Sequence, residues 1–299
     1  MASGEGASQT SEGPTGEAKG ATLLEALVGP GPTRTVELRP PRRGLPGSGS
    51  VDAWIDLNRA VRSLVDSGRF ILFTDAAVGA HEEESVQHLQ ANLGQDSDFS
   101  RIVPFLTCKH SLDYCLLFAR RAAALGIRAL TVTGGDKGVG PPRCLPRSRD
   151  LRRLIREEVP GLQLGAWVNP QKDAAEQVEL LLDPEHYAEY YVCQVVSHHR
   201  LVEVDRFLNE AAKRGLTLPG LMGVFFYRSA TERTLDRLAS FIPVPRAELV
   251  AEFAAGVSAE EVCGRTLEAL AGRGVEKTYV SNIGTRQLDL QLRMIEARA

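Results

Sequence analysis

From about residue 34 onward, short apolar runs alternate with longer amphipathic stretches. The apolar runs are "TVELR" (35–39), "FILFT" (70–74), "IVPFLT" (102–107), "ALTVTG" (129–134), "LQLGAWV" (162–168), "YYVCQVV" (190–196), "LPGLMGVFF" (218–226) and "KTYVSN" (277–282). They are nearly continuous in apolar character, as strands buried on both faces of a parallel sheet must be. The stretches between them read as helices. "DAWIDLNRAVRSLVDSG" sets Trp54, Leu57, Ala60, Val61 and Leu64 on one stripe and stops at Gly68. "SLDYCLLFARRAAALG" opens on the cap residue Ser111 and closes at Gly126, and "RLVEVDRFLNEAAKRG" closes at Gly215. "SAEEVCGRTLEALAGRG" carries a capping-box pattern, Ser258 with Glu261. Eight strands separated by helices over about 265 residues predict a (β/α)8 TIM barrel. A doubly wound sheet is the competing α/β arrangement. The stretch 229–256 is longer than a single crossover needs and predicts a helical elaboration before the last strand.

The first twenty residues break the pattern. They are Gly, Ser, Thr and Glu with almost nothing to bury, so 1–20 is expected to be a disordered tail and 21–299 a single barrel domain. The tail has neither the apolar core of a secretory signal nor the arginine-rich, acid-poor make-up of a mitochondrial presequence, so a cytoplasmic location is expected. A net charge of −3 gives no basic field for nucleic acid or anionic lipid, and no apolar run approaches the roughly 18 residues a membrane span needs. The five cysteines are odd in number and lack CxxC spacing, which points to reduced thiols rather than a disulfide scaffold or a structural zinc site.

In such barrels the chemistry gathers at the C-terminal ends of the strands. The polar residues there are Glu37, Thr74, Thr107, Asp136, Gln194 and Asn282, with Trp167 among them. Glu37 interrupts an apolar strand. It is either a structural carboxylate paired with a nearby arginine such as Arg39 or Arg42, or a general acid whose pKa burial has raised. "TVTGGDKGVG" (131–140) puts Gly134, Gly135 and Asp136 after the fourth strand, but its spacing is neither a dinucleotide fingerprint nor a P-loop. Gln194, in an apolar strand, needs hydrogen-bond partners. His198 and His199 are adjacent, are expected to point apart, and have no third ligand at a supporting spacing, so no metal is predicted. Cys108 and His110 show no activating arrangement. The arginine-rich "PPRCLPRSRDLRRLIREE" mixes signs and reads as a solvated loop and helix, with contact to an acidic ligand tail as the alternative.

These residues resemble the methylenetetrahydrofolate reductase family over about residues 34 to 286. "VELRPPR" resembles the family's first-strand motif, a glutamate followed by two prolines. "PFLTC" resembles its "PHLTC", "GIRALTVTGGD" its "GI…LRGD", "VCQVV" its "ITQFFFD", "LPGLMGV" its "IPGIMPV" and "YVSNI" its "YTLNR", while "AWVNP" is a weaker match. The resemblance implies hydride transfer from NAD(P)H to 5,10-methylenetetrahydrofolate, giving 5-methyltetrahydrofolate. It implies Glu37 as the acid that opens the imidazolidine ring and Asp136 as the carboxylate beside the pterin. Gln194 and Tyr227 would bind substrate, and Thr74, Gly134, Gly135 and Trp167 would face the cofactor.

The departures also carry information. The family's flavin-contacting histidine is Phe105 here, its "RGD" arginine falls at Gly135 or a neighbour, and a basic pair is replaced by Leu182 and Asp183. A second histidine has no counterpart near Asn169 and Pro170. Without those cations the grip on an FAD diphosphate is weakened. The pattern thus resembles the family's flavin-independent branch, with FAD left open. The expected partner is a folate, not nucleic acid or membrane, and a homo-oligomer is left open. Two other readings stand beside this one: a pterin-binding methyl-transfer barrel, and a degenerate barrel that binds folate or a protein without catalysis.

Overall fold

A computed structural model describes residues 20–41, 45–74, 90, 97–136, 138 and 140–298. The elements run α1 (Leu23–Val28), β1 (Thr33–Leu38), α2 (Gly47–Asp66), β2 (Ile71–Phe73), β3 (Ile102–Thr107) and α3 (Leu112–Ala124). They continue with β4 (Ala129–Thr133), α4 (Ser148–Glu158), β5 (Gln163–Val168), α5 (Ala174–Leu182), β6 (Tyr190–Val196) and α6 (Val202–Lys213). The last are β7 (Gly220–Phe225), α7 (Glu232–Ala239), α8 (Arg246–Ala254), α9 (Ala259–Ala271), β8 (Lys277–Ser281) and α10 (Leu288–Glu296). All strand pairs are parallel, and β8 returns to β1, closing the barrel. Closure excludes the doubly wound sheet. Each apolar run of the sequence became a strand, with ends moved by at most two residues, and 229–256 supplies α7 and α8.

Local chemistry explains the helix starts. Ser111 Oγ accepts the Tyr114 N–H at 3.3 Å, and Ser258 Oγ accepts the Glu261 N–H at 3.1 Å, as their spacing predicts. Helix α2 begins at Gly47, well before the apolar stripe, because Pro46 sits at its N-cap and accepts the Ser50 N–H at 2.9 Å. Helix α1 was not foreseen. Thr22 and Glu25 form a reciprocal capping box, with Thr22 N–H donating to Glu25 Oε2 at 2.6 Å. Leu23 and Leu27 join the apolar cluster of the lumen beside Phe70 and Ala129, so α1 plugs the N-terminal end of the barrel. The predicted disordered tail covers residues 1–19, which lie outside the described residues, and Gly20. No described helix is long and apolar enough to cross a membrane.

The lumen is filled by rings laid over glycines. Tyr190 crosses Gly165, where a Cβ would stand 2.4 Å from the ring, and Tyr279 crosses Gly223, where a Cβ would stand 2.5 Å from the hydroxyl. Tyr190 shares a 3.0 Å hydrogen bond with Thr131, and Tyr279 donates to Cys193 O at 2.6 Å. Both phenols therefore lie buried with partners, as they must. One sequence expectation fails here. The arginine-rich helix is not uniformly solvated: Arg152 on α4 is buried and donates to His186 O at 2.7 Å and Val132 O at 3.2 Å. Burial holds its pKa down at about 10, so the guanidinium works as an internal clamp between α4, β4 and the segment before β6.

Candidate functional site at the barrel mouth

Strand alternation turns Val36 and Leu38 outward into the layer shared with the helices and leaves Glu37 facing the lumen. Glu37 is 8% exposed. Burial raises its carboxyl pKa, opposed in part by the Arg39 guanidinium and by a hydrogen bond with Ser281. Arg39 Nη2 stands 3.6 Å from Glu37 Oε1 and is itself largely in solvent. Both sequence readings of Glu37 thus meet in one group, a carboxyl near an arginine yet dry enough to favour its protonated form.

Around it the rim of the lumen is aromatic. Phe225 and Tyr227 alternate inward past the end of β7 with ring centroids 4.8 Å apart. Phe105 and Trp167 meet edge to face at 5.8 Å. Burial pushes the Tyr227 hydroxyl pKa well up, keeping it a neutral donor. The rim between β7 and β8 is fastened by Asn282, whose φ is +67°. Its side chain donates to Phe226 O at 3.0 Å, and its carbonyl accepts from Arg228 Nε at 2.8 Å. Burial and the nearby Arg39 lower the Arg228 pKa.

Gln194 sits where the β6–β7 register shifts between Val192 and Val195. Its Oε1 accepts the Val195 N–H at 2.9 Å, and Gln171 Nε2 donates to Val195 O at 2.9 Å. The amide therefore satisfies an irregularity in its own strand. Thr74, past β2, has a buried Oγ1 with no hydrogen-bond partner among the described residues.

The β4 loop is arranged differently from a bare glycine cradle. Gly135 has φ +69°, and a Cβ there would stand 2.7 Å from the Lys109 chain. A Cβ on Gly134 would stand 2.7 Å from the Arg143 guanidinium. The two glycines make room for cationic side chains of this protein. Lys109 Nζ donates to Pro141 O at 3.0 Å and Arg143 to Gly135 O. Asp136 is exposed on the loop beyond them. Glu37, Gln194, Tyr227 and Trp167 lie at the strand ends that form the mouth, while Asp136 is exposed on the loop after β4. Sequence reasoning missed Lys109 and Arg143. The signal was present, since two glycines following a strand invite whatever side chain needs their space.

Two features flank the mouth. A groove of about 350 Å³ lies outside the lumen between α2 and the ends of β1 and β8, lined by Arg39, Asp52, Asp56 and Arg286 among others. On the β6 side, His198 and His199 do not point apart. Their rings lie 3.8 Å centroid to centroid, and both Nε2 atoms face Glu252 of α8, at 3.3 and 3.0 Å. The expectation failed because the residues occupy a turn rather than a strand, where alternation no longer separates neighbours.

Fold and site together define a closed (β/α)8 barrel with an acid-bearing aromatic mouth. No family model matches the chain, and no curated protein matches it. Among solved structures it resembles a protein from Clostridium thermocellum that binds two copies of 5-methyl-5,6,7,8-tetrahydrofolic acid. That likeness has a TM-score of 0.66 at 13% identity, covering 93% of this chain and 98% of that one. It also resembles mandelate oxidase with benzoyl-formic acid, with a TM-score of 0.51 at 14% identity, covering 89% of this chain and 71% of that one. At such identities the likeness establishes the barrel fold.

Proposed function

We propose that the barrel mouth binds a reduced folate and reduces 5,10-methylenetetrahydrofolate with hydride from NAD(P)H. The carrying observation is Glu37, a lumen carboxyl whose burial favours the protonated form at the C-terminal end of β1. Opening the imidazolidine ring needs a proton on the leaving nitrogen as the methylene carbon becomes an iminium. A carboxylic acid with a raised pKa keeps that proton to higher pH than an ordinary carboxyl does. Hydride then adds to the iminium carbon, leaving the N5-methyl product and oxidised nicotinamide. The aromatic rim offers flat faces for a pterin and a nicotinamide, Trp167 and Tyr227 being the residues we assign to them. The structural likeness to a methyltetrahydrofolate-binding barrel supports the folate assignment.

Direct transfer without FAD is the preferred form. Lys109 and Arg143, the cations of the β3 and β4 ends described above, are engaged with the backbone carbonyls of Pro141 and Gly135. A diphosphate needs cationic or N–H partners of its own. Two observations favour a second reading, folate binding without turnover: Asp136 is exposed, and the Gln194 carbonyl is already bonded within its strand. The deciding experiment is NADH and NADPH oxidation by purified protein with methylenetetrahydrofolate, after an absorbance scan for bound flavin. Turnover by colourless protein supports direct transfer. Turnover only with added FAD overturns the flavin-independent form. Saturable binding of 5-methyltetrahydrofolate with no turnover in either case overturns the reductase and leaves the binding protein.

A further inference from the structure

Glu252 is the centre of a cluster that the mouth does not use. His198 and His199 come from the turn after β6, Glu252 from α8, and Arg265 and Thr266 from α9. Each imidazole is anchored at Nδ1 by a hydroxyl: His198 by Thr266 Oγ1 at 2.9 Å, and His199 by Ser197 Oγ at 2.8 Å. Each presents Nε2 to the same carboxylate. All three donor groups lie within 4.8 Å of one another.

Hydrogen-bond accounting sets His198 apart. The Thr266 hydroxyl donates to Val262 O at 3.2 Å and also receives the His198 backbone N–H at 3.2 Å. With that proton on Val262 O, His198 Nδ1 is the donor in their bond. In the neutral ring that leaves Nε2 as a bare lone pair, facing a carboxylate oxygen at 3.3 Å. Two acceptors at that distance repel unless something positive lies between them. The spacing suits an ion: metal bonds of about 2.0–2.1 Å to a tetrahedral centre set neighbouring ligand atoms about 3.3 Å apart, against 3.0 and 3.3 Å here.

We propose that His198 Nε2, His199 Nε2 and the Glu252 carboxylate hold a divalent transition-metal ion of the zinc class, with water completing the shell. Hydroxyl partners at both Nδ1 atoms are the outer contacts that such ligands use to fix ring orientation. Arg265 donates to Glu252 Oε1 at 2.6 Å and to Glu261 at 2.9 Å, so it orients the carboxylate, whose Oε1 faces His198 and whose Oε2 faces His199. The positive charge of Arg265 is offset by Glu261 as well as Glu252. The ion would tie the turn after β6, four residues beyond Gln194, to the helical elaboration between β7 and β8. It stands outside the lumen and is independent of the folate reading.

The test uses the full chain, stripped with a chelator and titrated with Zn²⁺ by calorimetry and with Co²⁺ by visible absorbance. One ion per chain is expected, with a melting temperature that rises with Zn²⁺ and intense ligand-field bands from a tetrahedral Co²⁺ site. Glu252→Gln keeps size and shape and should weaken binding at least about a hundredfold, since it removes a ligand rather than an outer partner. His198→Gln should do the same, and His110→Ala should not. No saturable binding, an aqueous Co²⁺ spectrum in the unaltered protein, or unchanged affinity in both ligand variants would overturn the site. The cluster would then be an ion-pair network of a protonated His198 with Glu252 and Arg265.

Discussion

The two ends of this barrel hold their charged groups in different ways. At the N-terminal end Lys277 Nζ donates to Ala26 O at 2.8 Å, Gly29 O at 2.7 Å and Gly31 O at 2.6 Å, closing the carbonyl end of α1. Thr33 Oγ1 donates to Ala26 O at 2.9 Å, and Gln163 Nε2 reaches Thr22 Oγ1 at 3.3 Å. Most bonds there run from side chain to backbone or cap, as stability requires, although Gln163 Oε1 is buried without a partner among the described residues. At the other end Glu37 is buried with its pKa raised, and Thr74 Oγ1 lacks a described partner. Polar groups that folding leaves in an unfavourable setting are where chemistry is to be sought.

The sharpest break of that comparison is Glu37→Gln. If the proposed reduction holds, turnover should fall by roughly 10²–10⁴, the usual worth of a positioned acid, with folate binding nearly unchanged. Stability should respond in the opposite sense. A carboxyl whose folded pKa is raised contributes stability that is full below its unfolded value, near 4.5, and is lost as pH rises through the folded value. Unfolding of wild type and variant should therefore diverge in the variant's favour as pH rises above about 4.5. A variant that keeps full turnover, or loses stability at neutral pH, would place Glu37 with the structural groups.

Between the two ends, Gly223→Ala should be the most damaging change to stability alone. Its Cβ would stand 2.5 Å from the Tyr279 hydroxyl, which already holds Cys193 O at the β6 irregularity. Moving that ring overpacks the lumen and frees a buried carbonyl, a loss of about 3 kcal/mol. Denaturant unfolding measures it. A loss below about 0.5 kcal/mol, the level of an ordinary surface substitution, would show that the ring has room to move.

How much of this was legible depends on distance along the chain. The strands were readable because each is a local, nearly unbroken apolar run, and Ser111 and Ser258 because a cap and its partner lie three residues apart. Glu37 was readable as a charge inside such a run. Helix α1 was missed although Thr22 and Glu25 carry the capping-box spacing, because six residues are too few to show helical periodicity. Arg152 was misread because its helix is charged on several faces, and only the contacts with Val132 and His186 reveal which one turns inward. Glu252 lies more than fifty positions from His198, so only the folded chain joins them. The packing of Lys109 and Arg143 against Gly135 and Gly134 is likewise something no spacing rule encodes.

Lys277→Met tests the sealed end. It keeps the apolar stem and removes the donors from three carbonyls, and water can reach some of these in the variant. A loss of about 2 kcal/mol is expected, and, if the proposed reduction holds, kcat should be unchanged because α1 lies at the end of the barrel opposite the mouth. A fall in kcat at constant stability would mean that the two ends are coupled.

Thr22→Ala is the finest cut. It deletes the hydroxyl that accepts the Glu25 N–H at 3.3 Å and the Gln163 amide at 3.3 Å, a cap loss of about 1 kcal/mol. It leaves the backbone N–H of residue 22, whose bond is the main reason the Glu25 carboxyl lies below its ordinary pKa. A lowered folded pKa gives stability that is present above the unfolded value and lost as pH falls through the folded one. Thr22→Ala should therefore keep most of the acid dependence of unfolding, whereas Glu25→Gln should remove it. If the two variants lose the acid dependence equally, the hydroxyl rather than the backbone sets that carboxyl, and the cap is held from the side chain alone.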